Sequence, residues 1–258
     1  MKRTVLILIG ILLVNIAMNL PGKFIELSLS SRFAIGAMIK FGLILLTCLA
    51  ILKQAKTWKM SSSKWLWIAF SVVLLVLAFD RMEEITSDAA GIGRLEILLF
   101  LLLCLGTGYF EELLFRVFVF SGFFYKGYKS KVLKQRYIKS ILWTSILFAL
   151  AHFSNIFSKE YEVYGVITQM FFAFFLGVLL QGLFIRSKSI FLVGTLHGLI
   201  NFFGSYSARF GLPKDAVEGT LIEFLLNLAI LSAILAVISI PITYIIVQRE
   251  LRNSQNTP

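Results

Sequence analysis

The sequence predicts an all-α membrane protein, a polytopic bundle of about eight transmembrane helices that forms one domain over residues 1–258. Hydrophobic residues make up 58% of the chain, and its mean hydropathy is +0.86, which is more apolar than is usual for a soluble protein. The apolar residues also come in long blocks, and most of these are long enough to cross a bilayer.

Each apolar block is interpreted as one membrane span. The first follows Met1-Lys2-Arg3 and resembles a signal peptide, but no clear small-x-small cleavage pattern comes after it, so we interpret it as an uncleaved helix. The third and seventh blocks are short for a bilayer. The predicted spans are 4–20, 33–52, 65–79, 95–124, 138–157, 163–185, 190–205 and 221–247.

The segments on the two sides of the membrane differ in their content of basic and acidic residues. With the N-terminus in the cytoplasm, the inside segments hold 16 basic residues and one acid, whereas the outside segments hold 7 basic residues and 9 acids. This asymmetry follows the positive-inside rule and predicts that both termini are cytoplasmic. It also accounts for the net charge of +11 without a nucleic-acid partner. The inside segments are 2–3, 53–64, 126–139, 186–188 and 249–252, and the outside segments are 23–32, 80–94, 159–162 and 209–218.

Few ionisable residues lie inside the spans, and one group of them lies deep. Glu111, Glu112 and Arg116 are far from either end of the fourth span, at a depth where a charge costs several kcal/mol and usually faces a protein interior or a wet cavity. Because Glu112 and Arg116 are four residues apart, they predict a local ion pair with a structural role. Lys40 lies nearer the start of its span, and we expect its side chain to extend to the membrane surface.

Both histidines of the chain fall in apolar spans. A spacing of four residues puts Phe148 on the helix face of His152, and Asn201 on the face of His197. A single buried His or Asn usually serves helix packing. Two Glu, two His and one Asn on three spans exceed what packing needs, and together they provide a base, proton carriers and an oxyanion donor.

The order of these motifs carries a family resemblance. Glu111-Glu112-x-x-x-Arg116, Phe148-x-x-x-His152 and His197-x-x-x-Asn201 follow one another on separate spans. The set resembles the CPBP family (CAAX protease and bacteriocin-processing, Abi) of intramembrane proteases, and the resemblance covers about residues 106–204. Members of that family often have Gly after the Arg, where this sequence has Val117. The resemblance implies a glutamate-dependent intramembrane endopeptidase.

Peptide hydrolysis fits the roles that the resemblance implies. It needs an activated water, a stabiliser for the tetrahedral oxyanion and a proton for the leaving amine. Glu111 is predicted to be the general base, with Glu112 assisting, and His152 to carry the proton. His197 and Asn201 are predicted to donate hydrogen bonds to the oxyanion. We therefore expect these residues to line one polar cavity that opens toward the cytoplasm, with no cofactor.

Three other interpretations stay open. Two His and one Glu with an open position form a known zinc set, so a zinc-dependent protease is an alternative, although the chain has no His-Glu-x-x-His motif. A non-catalytic immunity or scaffold protein of the same fold is the second, and relatives of that kind usually have degraded motifs. A transporter with a buried proton relay is the third, but no inverted repeat or broken helix is evident.

The sequence does not identify the substrate. Its Lys/Phe-rich and Ala-poor composition is typical of a low-GC bacterium, which predicts location in the bacterial cell membrane. In that setting, small secreted or membrane-associated peptides are the expected substrates rather than prenylated proteins. The expected partners are this peptide or protein substrate and the lipid bilayer, with a peptide exporter or a sensor kinase as candidate functional partners.

Overall fold

The fold is helical throughout the part of the chain that the computed structural model describes, residues 28–51, 93–127, 132–157, 163–210 and 221–255. Those residues include no strand, so the all-α class is confirmed for them. Each α-helix corresponds to one predicted span. The predicted spans 4–20 and 65–79 lie outside the described residues, so the total of eight stays a prediction. The helices are α1 (Leu29–Ile51), α2 (Arg94–Glu112), α3 (Leu133–Ala151), α4 (Val163–Ser187), α5 (Ile190–Arg209) and α6 (Leu221–Gln255).

Within the described residues, four helical stretches are long and apolar enough to cross a membrane, and α5 contains a shorter apolar stretch, Ile190–Tyr206. Many large apolar side chains on these helices face outward, among them Val237, which is 73% exposed. Such faces suit a surround of lipid tails, which are as apolar as the side chains themselves. The helices therefore indicate an integral membrane protein. The four long stretches are Arg94–Tyr125, Leu133–Ile156, Val163–Ser187 and Leu221–Gln255.

The helix that begins at Arg94 changes its winding just after the two glutamates. The α-helix ends at Glu112, and π-helical segments follow at Leu113–Val119 and Gly122–Gly127. The predicted span 95–124 is thus one helical stretch with two kinds of winding. π-helical turns occur often at functional sites, and this one directly follows the Glu-Glu pair.

The described residues divide into two compact units. Unit A comprises those in Glu26–Leu114 and Ser187–Val217, and it holds α1, α2 and α5. Unit B comprises those in Phe115–Arg186 and Glu218–Pro258, and it holds both π-helical segments, α3, α4 and α6. The expectation of one transmembrane domain over the whole chain stays a prediction.

An aromatic cluster connects the three helices of unit A. The ring centroids of Phe33 in α1 and Phe100 in α2 are 5.1 Å apart, and those of Phe100 and Phe202 in α5 are 5.5 Å apart. Tyr206 continues the cluster along α5, and all four side chains are buried. Aromatic pairs at these separations add to the packing between helices.

Small residues and a buried hydrogen bond help to connect the three helices of unit B. A Cβ added at Gly177 in α4 would lie 3.3 Å from Cα of Ser145 in α3. The hydroxyl of Thr243 in α6 donates a hydrogen bond of 3.0 Å to the carbonyl oxygen of Val178 in α4. Close approach of backbones at small residues is the usual way in which membrane helices associate.

Candidate active site

The backbones of α2 and α5 touch at three glycines of unit A. A Cβ added at Gly108 in α2 would lie 2.5 Å from the backbone nitrogen of Gly198 and 2.7 Å from the carbonyl oxygen of Gly194. Gly194 and Gly198 are four residues apart, the spacing of small residues that lets membrane helices approach closely. This contact brings the residues after Gly108 beside those around Gly198, so it positions the site described next.

Tyr109 reinforces the same contact with a hydrogen bond. Its hydroxyl and that of Thr195 in α5 share a hydrogen bond of 2.6 Å, and its ring occupies the space that a Cβ at Gly194 would need. A hydrogen bond between two helices in an apolar surround fixes their rotation as well as their distance. This polar pair and the three glycines therefore help to set the register of α2 against α5.

Glu112 and His197 form a buried hydrogen-bonded pair. Nδ1 of His197 lies 3.0 Å from Oε1 of Glu112, and the two side chains are 2% and 0% exposed. The carboxylate accepts this hydrogen bond, so the proton of the ring is held at Nδ1 and Nε2 points away from Glu112. A carboxylate behind an imidazole fixes its tautomer and stabilises its protonated form.

Glu111 approaches the opposite side of the same imidazole. Its Oε2 lies 3.7 Å from Nε2 of His197, which is too long for a hydrogen bond. This oxygen is buried, and among the described residues it has no hydrogen-bond partner. The side chain as a whole is 16% exposed. The structure thus gives the two adjacent glutamates different surroundings, as their rotation around the helix predicts.

Asn201 lies one turn after His197 on α5 and is partly buried. Its position on the same helix agrees with the four-residue spacing that the sequence analysis used. The structure therefore brings Glu111, Glu112, His197 and Asn201 into one unit. The roles of these side chains in catalysis stay predictions.

Phe148, His152 and Arg116 belong to unit B, where Phe148 contacts both of the others. The Phe148 ring is fully buried, with the Arg116 guanidinium carbon 4.9 Å from its centroid. The His152 ring lies 4.9 Å away, edge-on. Nδ1 of His152 donates a hydrogen bond of 2.8 Å to the carbonyl oxygen of Phe148. Because a carbonyl only accepts, this bond leaves Nε2 as the basic nitrogen of neutral His152.

Two expectations about these residues stay predictions. One is that His152 lines the same cavity as Glu111, since the two belong to different units. The other is the Glu112–Arg116 ion pair. Arg116 is fully buried, which agrees with a structural role for its side chain.

Lys40 is the residue that the sequence analysis placed incorrectly. Its side chain is 7% exposed. Its Nζ lies 5.3 Å from the ring centroid of Phe110, the residue that precedes Glu111 in the sequence. The error came from the start of α1, which is Leu29 rather than residue 33, so that Lys40 lies at the middle of the helix. Ser28, whose hydroxyl accepts from the Ser31 backbone N–H at 3.2 Å, is the N-terminal signal that could have located it.

The described residues contain no group of three or more His, Cys, Asp and Glu side chains arranged to hold a metal ion. Glu111 and Glu112 lie near the two ring nitrogens of His197, so each nitrogen faces a carboxylate. Metal independence of the reaction stays a prediction.

Comparison with known proteins finds a family match for part of the chain. Residues 93–203 match the family described as type II CAAX prenyl endopeptidase, Rce1-like. The match covers less than half of the chain, but it includes all three motifs. No curated protein and no solved structure matches the chain. The match indicates a CAAX-type peptidase and supports the CPBP family of CAAX protease-like membrane proteins, which the three motifs predicted.

Proposed function

We propose that the protein is an intramembrane endopeptidase in which Glu111 activates the water that attacks the peptide bond. The observation that supports this most directly is the pair of carboxylates on either side of the His197 imidazole. Glu112 forms a hydrogen bond with the ring at 3.0 Å, whereas Oε2 of Glu111 lies 3.7 Å from it. Glu111 therefore has an oxygen, Oε2, that is suited to accept a hydrogen bond from a water molecule.

The proposed reaction begins with this water. Glu111 takes one proton from the water while the water oxygen attacks the carbonyl carbon of the substrate. The carbonyl oxygen then becomes an oxyanion. When the tetrahedral intermediate collapses, the C–N bond breaks and the amine nitrogen takes a proton. The products are one new carboxylate terminus and one new amine terminus.

His197 and Asn201 are proposed to stabilise the oxyanion. Since Nδ1–H of His197 is bonded to Glu112, Nε2 donates only when the ring is protonated, and the Glu112 carboxylate balances that charge. The Asn201 amide, one turn further along α5, adds a second donor. This gives Glu112 a different part from the one expected from the sequence, because it supports His197 rather than Glu111.

His152 is proposed to carry the proton from Glu111 to the leaving amine. Its Nδ1–H is held by the carbonyl oxygen of Phe148 at 2.8 Å, so the lone pair of Nε2 is available to accept a proton. Phe148 fixes the ring through this bond and through an edge-on contact. The guanidinium carbon of Arg116 also contacts the Phe148 ring, 4.9 Å from its centroid, and supports its position.

The proposed substrate is a peptide or protein associated with the membrane, and the site is proposed to open toward the cytoplasm. The description of the matching family names prenylated CAAX substrates, whereas the composition of the chain favoured small secreted peptides. Both kinds share a peptide bond presented at the membrane surface. The experiment below therefore includes a prenylated and an unmodified peptide.

The test is cleavage of an internally quenched peptide by full-length protein in lipid vesicles. One peptide ends in a farnesylated CAAX sequence, a second has the same sequence without the lipid, and a third is an unmodified peptide with an apolar leader. Glu111→Gln preserves the shape of the side chain and removes the base, so we expect cleavage to fall to background while the protein still accumulates. His197→Ala and Asn201→Ala should each lower kcat by about 10²–10³-fold.

Retention of wild-type cleavage by Glu111→Gln would show that Glu111 is not the base. Loss of cleavage after treatment with a chelator, followed by recovery with zinc, would establish the zinc-dependent alternative. Absence of cleavage of all three peptides by the wild-type protein would favour the non-catalytic immunity or scaffold role.

A further inference from the structure

Lys40 lies along the surface of α2 that leads to Glu111. A Cβ added at Gly106 would lie 3.1 Å from Cβ of Lys40, so the absence of a side chain at Gly106 leaves room for the lysine. From there the side chain extends one turn along α2 to Phe110, where Nζ is 5.3 Å from the ring centroid. The ammonium group therefore lies beside the residue that precedes Glu111.

The charges around His197 give this lysine a specific partner. Glu111 and Glu112 bring two carboxylates to one imidazole. The ring is hydrogen-bonded to Glu112. Lys40 places its ammonium group over the ring of Phe110, the residue before Glu111 in α2. Charges buried in an apolar surround persist when each has an opposite charge nearby.

We infer that Lys40 is a positioning residue whose ammonium group is the counter-charge of Glu111. The charge pairing stands on the contacts of unit A, while its consequence for catalysis rests on the proposed function. Glu111 takes a proton from water as a carboxylate, and a neighbouring cation offsets the cost of burying that negative charge. Phe110 holds the ammonium group through the face of its ring, which fixes the position of the cation.

A thermal double-mutant cycle tests the pairing without any substrate. Full-length wild-type protein, Lys40→Met, Glu111→Gln and the double variant are melted in the same lipid vesicles. Methionine preserves most of the length and volume of lysine, so it removes chiefly the charge. We expect Lys40→Met to lower the apparent Tm by about 4 °C or more. In the Glu111→Gln background the same change should have a much smaller effect.

Lys134 provides the matched control. Its Nζ lies over the ring of Tyr244 at 5.4 Å in unit B, so Lys134→Met removes the same kind of contact. Its effect on Tm should be equal in both backgrounds. Lys40→Arg retains the charge and should lose less stability than Lys40→Met.

An equal Tm loss for Lys40→Met in both backgrounds would show that Lys40 only packs against Phe110, and would overturn the inference. Where Lys40→Met does not accumulate, rescue of accumulation by Glu111→Gln supports the pairing, and failure of both variants to accumulate contradicts it. These outcomes do not depend on cleavage.

The consequence for catalysis is measured with the peptides described above. We expect Lys40→Met to lower kcat by about tenfold or more with little change in KM, because it acts on the base and not on substrate contacts. Lys40→Arg should recover most of the lost kcat. An unchanged kcat in Lys40→Met would overturn the catalytic part. If the wild-type protein cleaves none of the peptides, the proposed function fails while the thermal cycle still decides whether Lys40 pairs with Glu111.

Discussion

Units A and B both bury polar side chains, but a buried ionisable pair of unit A is joined across two helices, whereas a group of neutral side chains in the described part of unit B is buried without such a bond. In unit A the backbones of two helices meet at glycines, and Glu112 and His197 are joined by a hydrogen bond. In unit B several fully buried polar side chains have no hydrogen-bond partner among the described residues. They are Ser140, Thr144 and Ser145 in α3, Gln181 in α4 and Ser239 in α6. The comparison teaches that a polar residue in a membrane span indicates a site through its partners, and not through its presence alone.

The largest effect is expected from breaking the glycine contact of unit A. Gly108→Ala places a methyl group 2.5 Å from the Gly198 backbone nitrogen, so α2 and α5 must separate and Glu112 must move relative to His197. The loss in free energy of unfolding should exceed the value of about 1–3 kcal/mol that is typical of overpacking, because the methyl group meets backbone atoms and not a flexible side chain. Peptide cleavage should fall at least about 100-fold, as measured in vesicles that contain equal amounts of protein.

Gly204→Ala is the matched control on α5, since a Cβ at Gly204 would meet nothing within 4 Å. It should leave both cleavage and accumulation close to those of the wild type. Wild-type cleavage by Gly108→Ala would mean that the close approach of α2 and α5 is not needed for the site.

A smaller but still large effect is expected from removing the aromatic centre of unit B. Phe148 is fully buried and contacts Phe115, at 5.0 Å between ring centroids, as well as Arg116 and His152. Phe148→Ala should lower the free energy of unfolding by about 3–5 kcal/mol, measured by unfolding in mixed micelles. Phe153→Ala, at a side chain that is 51% exposed, should cost much less. Equal costs would place Phe148 outside the core of unit B.

The smallest effect, and one of opposite sign, is expected at Gln181. Its amide nitrogen and oxygen are both buried without a hydrogen bond in the described part of the chain. Gln181→Leu should therefore raise the free energy of unfolding by about 1–3 kcal/mol. In contrast, Thr243→Val should lower it by about 0.5–1.5 kcal/mol, because its hydroxyl is bonded to Val178. Destabilisation by Gln181→Leu would show that the amide is engaged and that unit B resembles unit A.

The sequence predicted the helices better than it predicted the contacts between them. Hydrophobic blocks located the six described helices, since a span must be long and apolar to exist in lipid. The pairing of Glu112 with His197 was not predictable, because periodicity gives two adjacent glutamates different faces without saying which one meets α5. The pattern Gly194-x-x-x-Gly198 is visible in the sequence, but its partner Gly108 depends on the register of two helices that are distant in the chain.

Lys40 shows a different reason for error. The start of α1 at Leu29 puts this residue at the middle of the helix rather than about a third of the way along the span. Its side chain is buried against α2 instead of reaching the membrane surface. Boundaries of helices are the least certain part of a sequence interpretation, and for a charged residue in a span the boundary decides the environment.

The length of α6 has a practical consequence for structural work. Its 35 residues extend about 52 Å at about 1.5 Å per residue, against a hydrocarbon core of about 30 Å. The last turns carry Arg249, Glu250 and Arg252, and Glu250 is joined to Arg186 of α4 by an ion pair of 3.2 Å. A helix that is supported beyond the bilayer can be continued without a break into a soluble helical domain. Such an in-register fusion at Gln255 would serve as a rigid marker for aligning images of this small membrane protein by electron microscopy.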